Sequence, residues 1–342
     1  MRVAINGLFL RQPFSGTGQY TRHLLEQLSE VDGLELDVRQ PKAAGNLAKL
    51  WWEQVLWPAQ VGSAADLLHC PYFALPLRRR LPAVVTIHDL IPVLLPAYGG
   101  SPLVRAYTRL QMLACRSAEA IIVDSDCSKR DVVRVLKAPE SRVRVIYLGV
   151  DPSFVPDASG PSPLERPYVL YLGGLDRRKN VGAALAAFRA IAPSFPNLVL
   201  TIVGEPRSGS SRFPDLRPLA APLGDRVRFL GWVSEEQKLR LYQHAELFVY
   251  PSLYEGFGLD PLEAMACGCP VVCSDASSLP EVVGDAALLA PVGDPSALAE
   301  AMRQALEDPE PLRRRGPEQA AKFTWRRCAD ETVQVYRSVL ER

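Results

Sequence analysis

The chain has 342 residues, 48% of them hydrophobic and 23% charged, and its 39 basic residues against 38 acidic ones leave a formal charge of +1. That length exceeds one small core and suits two domains of about 150 residues each. The near-neutral balance excludes a global field for nucleic acid, so an anionic ligand must be captured locally.

Seven scattered cysteines, and an opening stretch without the order of a signal peptide, give the expectation of a reducing cytoplasm. No apolar run reaches the roughly 20 residues of a membrane span. "MRVAING" predicts a strand ending at a turn. "QPFSGTGQY" then places Gly16 and Gly18 ahead of the helical pattern "YTRHLLEQLSEV", so the chain opens as strand, glycine loop, helix. The loop has Thr21 where a third glycine would complete a dinucleotide fingerprint, which argues against a nicotinamide dehydrogenase. "LWWEQVLWP", Leu50 to Pro58, carries three tryptophans; packing within the protein is expected there in preference to a bilayer surface.

Further strands end at His69, His88 and Ser125, in "ADLLH", "AVVTIH" and "AEAIIVDS". Strands alternating with helices indicate a parallel sheet. Asp124 to Asp126 have the D-x-D spacing of a divalent-ion site, but Ser128 and Asp131 are spaced as a capping pair, so helix initiation accounts for the acids without metal.

"VPDASGPSPLERP", Val155 to Pro167, has neither a helical nor a strand period and is read as a domain boundary, dividing residues 1–160 from 161–324. The alternation then restarts with "YVLYLGG", "LVLTIVG", "RVRFLGWV", "LFVYPS" and "PVVCSD" as strands. Such near-continuous apolar strands suit a sheet covered on both faces. The fold class is therefore α/β, in two doubly wound halves.

"GGLDRRKN" puts Arg178 and Lys179 in the loop after the first strand of the second half. "YEGFGLDPLEAMACGCP" reads as loop then helix after a buried strand, with the helix expected from Asp260 and ended by Gly268 and Pro270. Open α/β sheets bind ligands at the carboxyl ends of their strands. The amides of Gly256, Phe257, Gly258 and Leu259, with the helix start, make an anion site there. Asp260 and Glu263 also have capping-box spacing, which gives Glu263 a purely structural alternative. Cys267, Cys269 and Cys273 have no histidine nearby and read as small buried residues, not as zinc ligands.

"EGFGLDPLEAMACGCPVV" resembles the E-x7-E motif of family-4 retaining glycosyltransferases, with Glu255 and Glu263 as its glutamates. "SGTGQYTRHLL", "VVTIHDLIP", "VDSDCSKRDVVRVL", "RVRVIYLGVDPSF", "YLGGLDRRKNV" and "ASSLPEVVGDAALLAPVGD" resemble that family in the same order, over nearly the whole chain. The resemblance implies the GT-B fold, two Rossmann-like domains facing a cleft, with the last helical stretch, about 325–342, returning to the first domain.

It also implies roles. Glu263 bonds the ribose of a nucleotide-sugar, a task suited to a carboxylate that accepts from two neighbouring hydroxyls. Glu255 lies by the transferred sugar, and Gly256 to Leu259 hold sugar hydroxyls or phosphate. Arg178 and Lys179 stabilise the departing diphosphate. His88 orients the donor sugar, Gly16 and Gly18 let backbone approach the diphosphate, and Val233 within Leu230 to Ser234 contacts the base. His69 is expected to shape the acceptor side. Relatives often carry a neutral residue in place of Asp260 and an arginine in place of Gly174, for which Arg177 is a substitute.

The implied reaction is retaining transfer of a hexose from a GDP-mannose or UDP-glucose type donor to an acceptor hydroxyl, by same-face attack without a metal ion and without a cofactor beyond the donor. A sugar or lipid-linked acceptor, a cytoplasmic location and peripheral contact with the inner membrane face complete the expectation; Arg78 to Arg80 either meet a lipid phosphate or are solvated surface. A nucleotide-sugar epimerase and a non-catalytic nucleotide-sugar-binding protein are the alternatives.

Overall fold

A computed structural model describes residues 1–41, 45–205 and 212–341. The chain divides into two compact units, Met1–Gly149 with Thr324–Arg342, and Val150–Phe323.

The first unit is built on six parallel strands, β1 (Arg2–Asn6), β2 (Glu35–Arg39), β3 (Leu67–Cys70), β4 (Ala83–Ile87), β5 (Ala120–Val123) and β6 (Val143–Val145), in the order β2-β1-β3-β4-β5-β6. Strands β3, β4 and β5 are buried at every position. The two edges were not anticipated: β2 reads "ELDVR" and is half exposed, and β6 has only three residues. The tryptophan segment forms a continuous helical run with a π-helical turn at Trp52–Leu56. Trp52 and Trp57 are buried, whereas Trp51 is 57% exposed.

The second unit has six parallel strands, β7 (Tyr168–Leu172), β8 (Val199–Val203), β9 (Val227–Gly231), β10 (Leu247–Tyr250), β11 (Val271–Ser274) and β12 (Leu288–Ala290), ordered β12-β11-β10-β7-β8-β9. Read outward from β7, this is the doubly wound order of a Rossmann sheet, and the strand order reverses between β7 and β10. The chain crosses between the units nearer the amino terminus than Val155. Phe154 packs against Tyr242, with ring centroids 6.1 Å apart, and Gln243 donates to the Val155 carbonyl at 3.0 Å. Arg240 donates to the carbonyls of Asp157 (3.3 Å) and Ser159 (2.7 Å). These bonds hold the proline-rich stretch on the second unit.

The helix Trp325–Leu340 packs on the first unit. Trp325 stacks on His23 at 4.8 Å, and a Cβ on Gly149 would lie 2.1 Å from the Trp325 nitrogen, so only glycine permits that approach. Among the described residues no helix is long and apolar enough to cross a membrane.

Candidate active site

The reversal point of the second sheet gathers the charged residues. β7 runs into Gly173, at φ 146°, and Asp176 then accepts from the Arg178 amide at 3.2 Å, closing the short turn Arg177–Lys179. That turn sends two cations back toward the end of β10. Arg178 Nη1 lies 2.7 Å from Glu255 Oε1 and donates to the Tyr254 carbonyl at 2.7 Å. Lys179 Nζ lies 2.9 Å from the same Oε1 and 3.7 Å from Asp260 Oδ2, and donates to the Tyr250 hydroxyl. Ser252 Oγ donates to Glu255 Oε1 at 2.5 Å. Burial alone would raise the Glu255 carboxyl, but Lys179 and Arg178 hold it below its ordinary value, so it is ionised. Arg177 is exposed.

The loop that carries Glu255 is fixed by its neighbours. Its amide donates to Ser277 Oγ at 2.7 Å, and Ser278 Oγ donates to the carbonyls of Glu255 (3.0 Å) and Phe257 (2.6 Å). Gly256 and Phe257 are buried, the latter against Phe323 at 5.8 Å. Gly258, at φ 117°, precedes the helix Leu259–Ala266. A Cβ there would meet Leu279 at 2.8 Å, so glycine is required twice over. Gly268, at φ 73°, ends the helix: its amide bonds Met265 (2.9 Å) and that of Cys269 bonds Ala264 (3.0 Å), the paired pattern of a left-handed helix terminus.

No capping box forms on this helix. Asp260 instead accepts from the Tyr250 hydroxyl at 2.8 Å, and Glu263 pairs with Lys238 at 2.6 Å. The helix begins one residue before Asp260, so neither carboxylate stands at the cap position. Both Glu263 and Lys238 are buried, at 6% and 7% exposure. Burial pushes the Glu263 carboxyl up to about 7; Lys238 opposes that shift, while Asp260 and Glu235 add to it.

Sequence reasoning missed Lys238. Its signal was present: in the helix Glu235–His244 it shares the buried face of Leu241 and Tyr242, and a lysine on an apolar stripe needs a buried acid. Val233 is half buried in the short link between β9 and that helix, whose capping box is formed by Ser234 and Gln237. Cys267, Cys269 and Cys273 are buried free thiols.

In the first unit, His88 follows β4 and Asp124 follows β5. His88 Nδ1 is 2.7 Å from Asp124 Oδ2, and Nε2 is 3.2 Å from the Pro71 carbonyl. The helix Asp126–Leu136 is capped by Ser125, which accepts from the Ser128 amide at 3.0 Å; Ser128 is not the cap, because the helix starts as soon as β5 ends. Among the described residues, no group of three or more His, Cys, Asp or Glu side chains is arranged to hold a metal ion.

His69 does not shape a surface. It is 0% exposed, bonded to the Tyr336 hydroxyl at 2.6 Å and the Thr86 hydroxyl at 2.9 Å, and burial drives its pKa down to about 3. Of the two glycines in the first loop, Gly16 has open space where a Cβ would be. Gly18 would place a Cβ 2.1 Å from the Gln12 carbonyl oxygen, so its small size is demanded by its own loop.

Residues 157–323 match the family model described as glycosyl transferases group 1, and residues 38–154 match glycosyltransferase family 4. The chain is 34% identical over 289 residues to O-antigen chain mannosyltransferase B of Escherichia coli, covering 79% of this chain and 74% of that one. Among solved structures it resembles sucrose-phosphate synthase from Thermosynechococcus elongatus, with a TM-score of 0.78, 24% identity and coverage of 100% and 99% of the two chains. It also resembles Anabaena HepE in complex with UDP and glucose, with a TM-score of 0.73, 19% identity and coverage of 99% and 100%. The chain belongs to the family-4 glycosyltransferases, and it is a glycosyltransferase with their two Rossmann-like GT-B domains.

Proposed function

We propose that the enzyme transfers a hexose from a nucleoside-diphosphate sugar to an acceptor hydroxyl with retention of anomeric configuration and without a metal ion. The observation that carries this reading is the buried cluster at the reversal point, where two cations meet an ionised glutamate beside a helix start. A departing diphosphate gathers negative charge as its bond to the sugar breaks, and preformed cations and amide dipoles stabilise such charge without reorganising. Arg178, Lys179 and the amides of Gly256 to Leu259 take that task.

Retaining glycosidases use a second carboxylate as nucleophile on the face opposite the leaving group. Glu255 is read here as a positioning group instead, its Oε1 held by Arg178, Lys179 and Ser252. The proposed route is same-face attack. The acceptor oxygen bonds the anomeric carbon as the carbon–diphosphate bond breaks, and the acceptor's proton passes to the departing diphosphate oxygen. Glu255 orients the sugar, a contribution that positioning makes worth several kcal/mol. His88 orients it as well. Glu263 takes the ribose, with Lys238 as its partner, and Val233 lies by the base.

The relatives support a mannosyl or glucosyl donor: one is named a mannosyltransferase, and HepE was solved with UDP and glucose. An O-antigen relative also supports a saccharide acceptor; a lipid-linked form of that acceptor, with peripheral contact at a membrane surface, belongs to the same proposal.

The test is a screen of GDP-mannose, UDP-glucose and related donors in chelator, reading diphosphate release with and without acceptor sugars and the product anomer by NMR. Chelator-resistant, acceptor-dependent release with a retained anomer is expected. A requirement for added metal or an inverted product overturns the corresponding part of the reading, and isomerised donor without acceptor turns it into an epimerase.

A further inference from the structure

His88 and Asp124 are placed together by strand register. Ile87 pairs with Val123 across β4 and β5, so the next residue on each strand stands beside the other at the carboxyl edge of the sheet. Their bond is 2.7 Å, and Asp124 is 2% exposed. The other ring nitrogen of His88 faces the Pro71 carbonyl at 3.2 Å. A carboxylate and a peptide carbonyl only accept, so both ring nitrogens must carry a hydrogen, and only the imidazolium has two. A neutral ring would turn a lone pair onto one of the two oxygens.

The buried carboxylate makes the same demand. Its Oδ1 has no hydrogen-bond partner among the described residues, so the bond from His88 to Oδ2 is what compensates a charge there. An uncompensated buried charge is costly.

We propose that Asp124 is a positioning residue that keeps His88 a doubly protonated imidazolium locked between Asp124 and the Pro71 carbonyl, so that His88 meets the donor as a fixed cation and never as the base. The inference rests on the reading of His88 as a donor-orienting residue. It also deepens that reading: a ring with no free lone pair cannot collect the acceptor's proton, which leaves the departing diphosphate to do so.

The groups facing His88 agree. Asp89 lies next to it in the chain, the Tyr20 ring meets it edge to face at 4.7 Å, and His69 on β3 is neutral. Burial lowers the His88 pKa, but the field of Asp124 and its hydrogen bond, with Asp89, outweigh burial and raise it above the ordinary 6.5. His69 is the contrast: with two hydroxyls as partners, each able to donate or accept, it needs no second proton.

The chain has four histidines, so long-range proton–nitrogen NMR of the labelled protein can follow each ring, with His88→Gln assigning the signal. At about pH 7.5, above the unperturbed histidine value, His88 should carry protons on both nitrogens in the native protein. In Asp124→Asn it should be neutral, the alkaline limb of the transfer rate should move to lower pH, and acidification should restore kcat; Asp124→Glu should restore the native profile. A neutral His88 in the native protein, or an unmoved titration in Asp124→Asn, overturns the proposal. The ring signal is read without substrate, so an enzyme that transfers no sugar refutes the proposed function and leaves this measurement decisive.

Discussion

Glu255 and Glu263 are both buried, at 8% and 6% exposure, yet their surroundings shift their acidities in opposite directions. Glu255 faces two cations, Lys179 and Arg178, and is held ionised. Glu263 faces Lys238 alone, with Asp260 and Glu235 pressing against it, and its pKa is pushed up to about 7. Burial penalises both carboxylates; the count of neighbouring charges decides which keeps its proton. The first is a permanent anion that fixes two cations in place. The second can change charge near neutrality.

Breaking the first pocket should have the largest effect. Glu255→Ala and Lys179→Ala should each lower the transfer rate by about tenfold or more with circular dichroism unchanged, because either removes an oriented charge from the reacting end of the donor. An unchanged rate in either variant removes that residue from the reacting centre.

The second pocket is sharpened by pH. The ionised Glu263 is the stronger acceptor for two ribose hydroxyls, so donor affinity, measured by calorimetry, should rise from about pH 6 to about pH 8 in the native enzyme. Glu263→Gln should weaken binding about tenfold and flatten that slope. The linked stability runs the other way. A carboxyl whose folded pKa is raised from 4.5 to about 7 contributes stability present below 4.5 and lost as pH rises through about 7. The native protein should therefore lose melting temperature relative to Glu263→Gln across that window.

Asp260 links the pockets, 3.7 Å from Lys179 and bonded to Tyr250. Asp260→Asn removes a negative charge beside the phosphate cations and should tighten nucleoside-diphosphate binding by about threefold, the smallest of these effects. Equal or weaker binding would mean that Asp260 earns its place by aiming Lys179.

The sequence made the second sheet legible because β7, β8, β10 and β11 are short apolar runs of one kind, "YVLYL", "VLTIV" and "LFVY" among them. It hid β2 and β6, whose edge positions leave them half exposed or only three residues long. Within the candidate site, Arg178, Lys179 and Glu255 were visible as charges in glycine-bearing loops. What they touch was not, since each partner comes from a distant strand end. Spacing misled for Asp260 and Glu263, where a buried lysine and a tyrosine compete for the carboxylates that a solvated helix would use as caps. Ser125 was passed over for Ser128 because a cap depends on where the strand stops. Lys238 was overlooked because its acid lies 25 positions away, although its place on an apolar stripe announced the need for one.

The helix Trp325–Leu340 reverses the order in which the molecule can be completed. A ribosome emits all of Val150–Phe323 before this segment, so the nascent first unit waits with His69 unable to reach Tyr336 and with Gly149 unable to meet Trp325. The later-made unit is contiguous and can mature first, while the earlier-made one stays open and dependent on its missing cover. Premature termination before Trp325 should then yield one sound half joined to one that chaperones must shelter.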